Sequence, residues 1–142
     1  MTGSGVPEWS VVRWGFPLNL AWEFAQSPLY ADWDREWTYL LWTRLHCTAG
    51  DVLILLGACW GTALVFRTRH WLGVRRLGPL VFIVLGLSYT VWSEWLNVSI
   101  RASWGYAPGM PALGGVGLSP LLQWVVVPAL TLRLSRPRSA AQ

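Results

Sequence analysis

The chain has 142 residues, of which 54% are hydrophobic and only 13% are charged. Soluble domains carry about 25% charged residues, so this composition argues against a soluble protein and favours one integral membrane domain over residues 1–142. The net charge of +4 comes from arginines that cluster beside apolar segments, which is typical of a membrane topology signal and not of a nucleic-acid-binding surface.

Four apolar segments predict four transmembrane helices. They cover residues 11–30, 45–66, 77–100 and 118–132. The first is the most polar, and the fourth is short because a helix needs about 20 residues to cross a bilayer. Only helices and closed barrels can span lipid, and these segments are too long for barrel strands. The predicted fold class is therefore an all-α membrane protein, a four-transmembrane-helix bundle.

The distribution of arginine orients the predicted bundle. Most arginines flank the second, third and fourth segments, at Arg67, Arg69, Arg75, Arg76, Arg133, Arg136 and Arg138. Because basic residues are enriched in cytoplasmic loops, both termini are expected in the cytoplasm of a bacterial-type inner (plasma) membrane, in a multi-pass arrangement. The loop from Ala31 to Arg44 then faces outward, either as an amphipathic helix on the membrane surface or as an aromatic-rich loop.

Polar side chains recur at helical spacing within the predicted spans. They are Asn19, Glu23, Gln26 and Tyr30 on the first span, Cys47 and Asp51 on the second, and Thr90, Glu94, Asn97 and Arg101 on the third. A carboxyl group that faces lipid is costly, so we expect these stripes to face one another in the outer half of the bilayer. Three acids at one depth require that one be protonated or that Arg44 or Arg101 pair with one.

This constellation indicates a site for acid–base chemistry. Glu94 is the candidate proton donor, and Glu23 or Asp51 is the candidate base or cation stabiliser. The candidate substrate-binding residues are Asn97, Gln26, Trp92, Trp95, Trp104, Tyr106, Arg101 and Gln123. Aromatic faces stabilise cations, which suits such chemistry. For the isolated amides Asn19 and Gln123, hydrogen bonding between helices is the alternative interpretation.

A metal site is a weaker hypothesis. His46 and Cys47 are adjacent, and with Asp51 and Glu94 they offer nitrogen, sulfur and oxygen ligands. However, the sequence has no CxxC or HxxH pattern, and the GGVG segment lacks the lysine of a phosphate-binding loop. We therefore expect no cofactor.

One part of the chain resembles a known family. From Ser93 to Pro128, the order EW-x-x-N, W-x-Y, MP, a Gly-rich turn and SPLLQW is similar to the closing segment of integral-membrane carotenoid-modifying proteins, of the lycopene cyclase and carotenoid hydratase type. The resemblance implies helical proteins that protonate a double bond of an isoprenoid without a redox cofactor. It also implies that Glu94 is the acidic position and that Trp104 and Tyr106 are the aromatic pair. The family's motif of a proline followed by paired acids has no counterpart, because Pro17 is followed by leucine and asparagine.

Three functions are consistent with these patterns. The first is an enzyme whose partner is a membrane lipid or another lipophilic small molecule. The second is a subunit of a proton or cation transporter or channel, acting as a homo-oligomer. The third is a non-catalytic accessory subunit of a larger membrane complex.

Overall fold

The computed structural model describes residues 8–73 and 76–136, so Arg75 and Arg138 of the topology argument lie outside the described residues. Four helices make up most of the fold, which confirms the all-α class. They are α1 (Glu8–Gln26), α2 (Trp37–Phe66), α3 (Leu77–Glu94) and α4 (Leu118–Ser135). The shorter elements are two 3₁₀ turns (Ser27–Leu29 and Trp71–Gly73), a π-helix (Trp95–Ile100), and the strands β1 (Ala112–Leu113) and β2 (Val116–Gly117).

The four helices form a closed ring. Each helix packs against the next one in the chain, and α1 also packs against α4. This is the up-and-down arrangement expected when short connections join antiparallel neighbours. The α1–α2 and α3–α4 connections therefore lie at one end of the bundle, and the α2–α3 connection lies at the other end.

Three helical segments are long and apolar enough to cross a membrane: Trp37–Phe66, Leu77–Ile100 and Leu118–Ser135. Helix α1 is not among them, and its sequence contains several polar residues. Those in its second half point inward, and its buried face consists of Val11, Gly15, Asn19, Glu23 and Gln26. Its outward face includes Phe16, Ala21 and Ala25, so the part of α1 that faces away from the bundle is largely apolar.

The helix boundaries differ from the sequence prediction mainly in α2. That helix begins at Trp37 instead of Leu45, so the second half of the supposed external loop forms its first two turns. The Trp37 ring packs on Phe24 of α1, with centroids 5.8 Å apart, which fixes the start of α2 against its neighbour. The helical structure of the third segment begins at Leu77 and ends at Ile100, as expected from the sequence.

The half of the bundle next to the α2–α3 connection is filled by apolar side chains. Val11, Leu55, Phe82, Trp124 and Leu132 are buried there, and Trp71 stacks on Phe82 with ring centroids 5.3 Å apart. Helices α3 and α4 approach closely, because Gly86 lies against the six-membered ring of Trp124. This packing leaves the buried carboxyl and amide side chains to the opposite half.

The two connections at that opposite end are joined by backbone hydrogen bonds. The amide of Ala31 donates to the carbonyl of Gly105, and the amide of Ala107 donates to the carbonyl of Leu29, both at 2.9 Å. The α3–α4 connection then folds into the hairpin β1–β2. Its turn residues Gly114 and Gly115 both have positive φ, as a type I′ hairpin turn requires.

Candidate functional site

One cavity of about 410 Å³ lies between the helices in this polar half. Its lining includes Glu23 from α1, Asp51 from α2 and Glu94 from α3. The sequence predicts that these three acids face one another at one depth, and the structure brings them to a single cavity. Gln26, Gln123 and Trp104 of the candidate substrate-binding set also line it.

Gln123 of α4 connects three helices through its side-chain amide. The Nε2 atom donates at 2.9 Å to Oδ1 of Asn19 and at 2.9 Å to Oδ2 of Asp51. Asn19 in turn donates to the carbonyl of Gly15 one turn earlier. The amides thus link helices and, at the same time, hold the carboxyl group of Asp51 at the cavity wall.

Glu23 is held by a second amide. Gln26 donates from Nε2 to Oε1 of Glu23 at 2.7 Å, and its own Oε1 accepts the Ser119 hydroxyl at 2.8 Å. Glu23 and Gln26 are three residues apart, so they lie on the same face of α1. Buried polar groups are tolerated when they are hydrogen-bonded, and this pairing satisfies both side chains.

Glu94 is positioned by the α3–α4 connection. The Tyr106 hydroxyl donates to its Oε2 at 2.5 Å, and the indole N–H of Trp104 donates to the same oxygen at 3.5 Å. The Tyr106 oxygen also accepts the amide of Gly117 at 2.9 Å. Burial and the hydrogen bond to Glu94 raise the pKa of the Tyr106 phenol above its usual value.

Arg44 supplies the positive charge at the cavity. Its side chain is only 3% exposed, and NH2 forms an ion pair of 2.6 Å with Oδ1 of Asp32. The guanidinium also lies over the Tyr30 ring, 5.4 Å from its centroid. Sequence reasoning placed Arg44 in an external loop and treated it only as one alternative partner of the acids. Its spacing from Thr48 and Asp51 (i, i+4, i+7) was the signal that it shares their face of α2.

Five predicted site residues do not line the cavity: Tyr106, which contacts Glu94 from behind the wall residues, and four others. Trp92 and Trp95 point outward, with 52% and 45% of their surfaces exposed, and Arg101 is exposed. Asn97 donates back to the carbonyl of Ser93 in its own helix. The π-helix explains the positions of Asn97 and Arg101. Its turn is wider than that of an α-helix, so the 3.6-residue spacing from which the stripe was predicted does not continue beyond Glu94.

The two candidate metal ligands both border the cavity. His46 is exposed and Cys47 is half-buried. Among residues 8–73 and 76–136 there is no group of three or more His, Cys, Asp or Glu side chains arranged to hold a metal ion.

No protein-family model, curated protein or solved structure matches this chain. The arrangement of the site therefore carries the functional argument.

Proposed function

We propose that the chain is a multi-pass protein of a bacterial-type inner membrane, with α1 as a fourth span and both termini in the cytoplasm. The low hydropathy of α1 is explained by residues such as Asn19 and Glu23 that point into the bundle. The exposed arginines Arg67, Arg69, Arg76, Arg133 and Arg136 all lie at the end of the bundle away from the cavity, which supports that orientation. The carboxyl cavity then lies in the outer half of the bilayer.

Within this protein, the cavity carries out acid–base chemistry on a lipophilic, isoprenoid-like substrate. The single observation behind this proposal is that Glu23, Asp51 and Glu94, from three different helices, line one cavity of about 410 Å³. That volume is in the usual range of about 300–1,000 Å³ for small-molecule sites. Ionisable groups inside membrane segments are costly and usually functional.

Each residue has a chemical role. Glu94 gives a proton to a carbon–carbon double bond of the substrate, which leaves a carbocation. Glu23 or Asp51 then accepts a proton from a neighbouring carbon, so the product is an isomer or a ring and no electrons are gained or lost. Both hydrogen bonds that Glu94 accepts from described residues fall on Oε2, which leaves Oε1 to face the substrate.

Aromatic rings and a positioned proton donor support such an intermediate. Tyr30 and Trp104 line the cavity, and the electron-rich faces of such rings attract cations. Tyr106 and the indole of Trp104 hold the Glu94 carboxyl in place, so the proton donor is positioned before the substrate binds.

The apolar half of the bundle favours an enzyme over a conducting subunit. Val11, Leu55, Phe82 and Trp124 fill the interior beyond the carboxyl cavity, so in one copy of the chain the polar path ends within the described part of the bundle. A transported ion would need a path between copies or beside another subunit. A homo-oligomer or a larger membrane complex would provide such a path, so the experiments must be able to detect either one.

The function can be tested by mass spectrometry of lipids from cells that express the protein and of lipids that copurify with it. We expect a neutral lipid to change in amount or mass with the wild type, and the change to disappear in Glu94→Gln and Asp51→Asn. Glu36→Gln is the matched control, because Glu36 is exposed and lies outside the cavity. If all four proteins give the same lipids, and the wild type copurifies with a fixed subunit or lets protons into liposomes, the enzyme proposal is wrong.

Membrane insertion needs its own test. The protein should stay in the membrane pellet after alkaline carbonate extraction. A reporter that works only in the cytoplasm should be active when it is fused after the last residue. A carbonate-soluble protein, or a C-terminal reporter active outside the cell, would contradict the proposed topology.

A further inference from the structure

A second depression, of about 580 Å³, runs along the seam between α2 and α3. Three of its lining residues, Gly50, Ile54 and Ser93, also line the carboxyl cavity. The two spaces therefore adjoin at these residues, with the carboxyl groups on one side and the groove between the helices on the other.

The groove is shaped by residues that lack bulk. Gly57, Ala58 and Gly61 line its α2 side, and a Cβ added at Gly50 or Gly57 would meet open space. From Gly50 to Gly61 the helix rises by about 16 Å. The remaining lining is mostly apolar, with Leu53 on α2 and with Leu85 and Tyr89 on α3. A groove of this length with a mostly apolar lining suits an extended hydrocarbon chain.

The cavity end contains polar atoms without partners. Thr90 is 5% exposed and Arg44 is 3% exposed, and among the described residues the Thr90 hydroxyl and Nε of Arg44 have no hydrogen-bond partner. Both residues line the cavity. A buried polar group without a partner costs stability, so a polar group on a ligand would be favoured at this place.

The charges at the cavity select the kind of polar group. Four carboxyl side chains line it, and one of them, Asp32, is paired with the one lining arginine. An anionic head group would meet more negative than positive charge. An uncharged hydroxyl group can donate to a carboxylate and accept from Nε of Arg44 or from Thr90.

We propose that the α2–α3 groove and the carboxyl cavity together bind a single-chain lipid alcohol, with its hydroxyl group among Glu94, Thr90 and Arg44 and its chain along Gly57. This inference rests on the proposed function and narrows it, because it names the substrate class and the route by which the substrate enters from the membrane.

The test uses two photoreactive probes with the same chain, palmityl alcohol and palmitic acid, each carrying a diazirine at the far end. The purified protein in phosphatidylcholine nanodiscs is irradiated with each probe, and the labelled residues are identified by peptide mass spectrometry. We expect the alcohol to label residues 53–61 and 85–89, and the acid to label them far less.

Substitutions at Gly57 provide the second readout. Gly57→Ala should keep the labelling. Gly57→Phe should lower it by about tenfold, because the ring would displace roughly two methylene groups of the probe chain from the groove. Ala21→Phe on the exposed face of α1 is the matched control and should label as the wild type does. If Gly57→Phe does not fold, the wild-type map alone decides the question.

Two results would overturn the inference: labels spread evenly over the outer faces of all four helices, or equal labelling by the alcohol and the acid. The proposed function fails separately. Groove labelling together with lipids that do not respond to Glu94→Gln would leave the binding site standing and remove the catalysis. If lipids are converted but the probes label residues elsewhere, the catalysis stands and the groove is not the binding site.

Discussion

The Tyr106 hydroxyl lies 2.5 Å from Oε2 of Glu94 and donates a hydrogen bond to it. The same hydroxyl oxygen accepts the amide of Gly117 at the start of α4. One side chain in the α3–α4 connection thereby joins the end of α3 to the start of α4. The position of the candidate proton donor and the stability of the connection thus depend on the same hydrogen bonds.

Replacement of Tyr106 by phenylalanine removes both hydrogen bonds and leaves the ring. We expect the free energy of unfolding to fall by about 2 kcal/mol, because a bond to a carboxylate is lost and the amide of Gly117 is left without its partner. Thermal unfolding in detergent measures this. Tyr89→Phe is the control, since Tyr89 is 48% exposed. Equal stability of the two variants would show that the Tyr106 hydroxyl does not hold the connection.

The raised pKa of Tyr106 predicts a pH dependence. Burial and the hydrogen bond to Glu94 favour the neutral phenol, so the folded protein keeps this proton at pH values where an unfolded tyrosine, with a pKa of about 10, has lost it. The stabilisation is therefore complete below about pH 10 and is lost as the pH rises further. Absorbance titration should show fewer tyrosines ionising in this range in the wild type than in denaturant, and Tyr106→Phe should reduce that difference by one tyrosine.

Two glycines of the α3–α4 connection, Gly115 in the hairpin turn and Gly109 before it, should differ in how well they tolerate a side chain. Gly115 has φ +83°, and a side chain in the left-handed region costs roughly 1–2 kcal/mol. Gly115→Ala should therefore lower the midpoint of thermal unfolding, whereas Gly109→Ala should not, because Gly109 lies in open space without a positive φ. A similar midpoint for the two variants would mean that the β1–β2 turn adds little to stability.

Helical periodicity was enough to predict the inner face of α1. Asn19, Glu23, Gln26 and Tyr30 follow one stripe in the sequence, and all four are buried in the structure. The stripe contains every strongly polar residue in the middle of that helix. Only the opposite face can therefore point away from the bundle at low energetic cost. The meeting of Glu23, Asp51 and Glu94 at one cavity follows from the same argument applied to three helices.

The rest of the site depends on features that periodicity does not contain. The π-helix after Glu94 moves Asn97 and Arg101 away from the stripe, and the sequence offers no regular signal for a wider turn. Arg44 enters the cavity because α2 begins at Trp37, before the apolar segment from which the span was predicted. Tyr106 reaches Glu94 only because the two end connections pair through their backbones, a long-range contact that no local pattern reports.

The hydrogen bond between Gln123 and Asn19 should be measurable as a coupling energy. Gln123→Leu and Asn19→Leu each leave a buried polar group without its partner, whereas the double variant removes both groups together. For residues in direct contact we expect a coupling of about 0.5–3 kcal/mol in a double-mutant cycle. The comparison cycle pairs Gln123→Leu with Ser88→Ala, because Ser88 is exposed on α3. Coupling of the same size in both cycles would contradict a specific contact.

The close approach of α3 and α4 predicts opposite effects for one substitution at two helical glycines. A Cβ at Gly86 would overlap the ring of Trp124, which is fully buried and cannot move freely, so Gly86→Ala should destabilise the fold by about 1–3 kcal/mol through overpacking. Gly57→Ala meets open space and should stabilise α2 by up to about 1 kcal/mol, because alanine favours helix. Chemical unfolding of both variants in the same detergent measures the difference. Because helix propensity acts in the same direction at both positions, a stabilised Gly86→Ala variant would show that Trp124 does not pack against this face of α3.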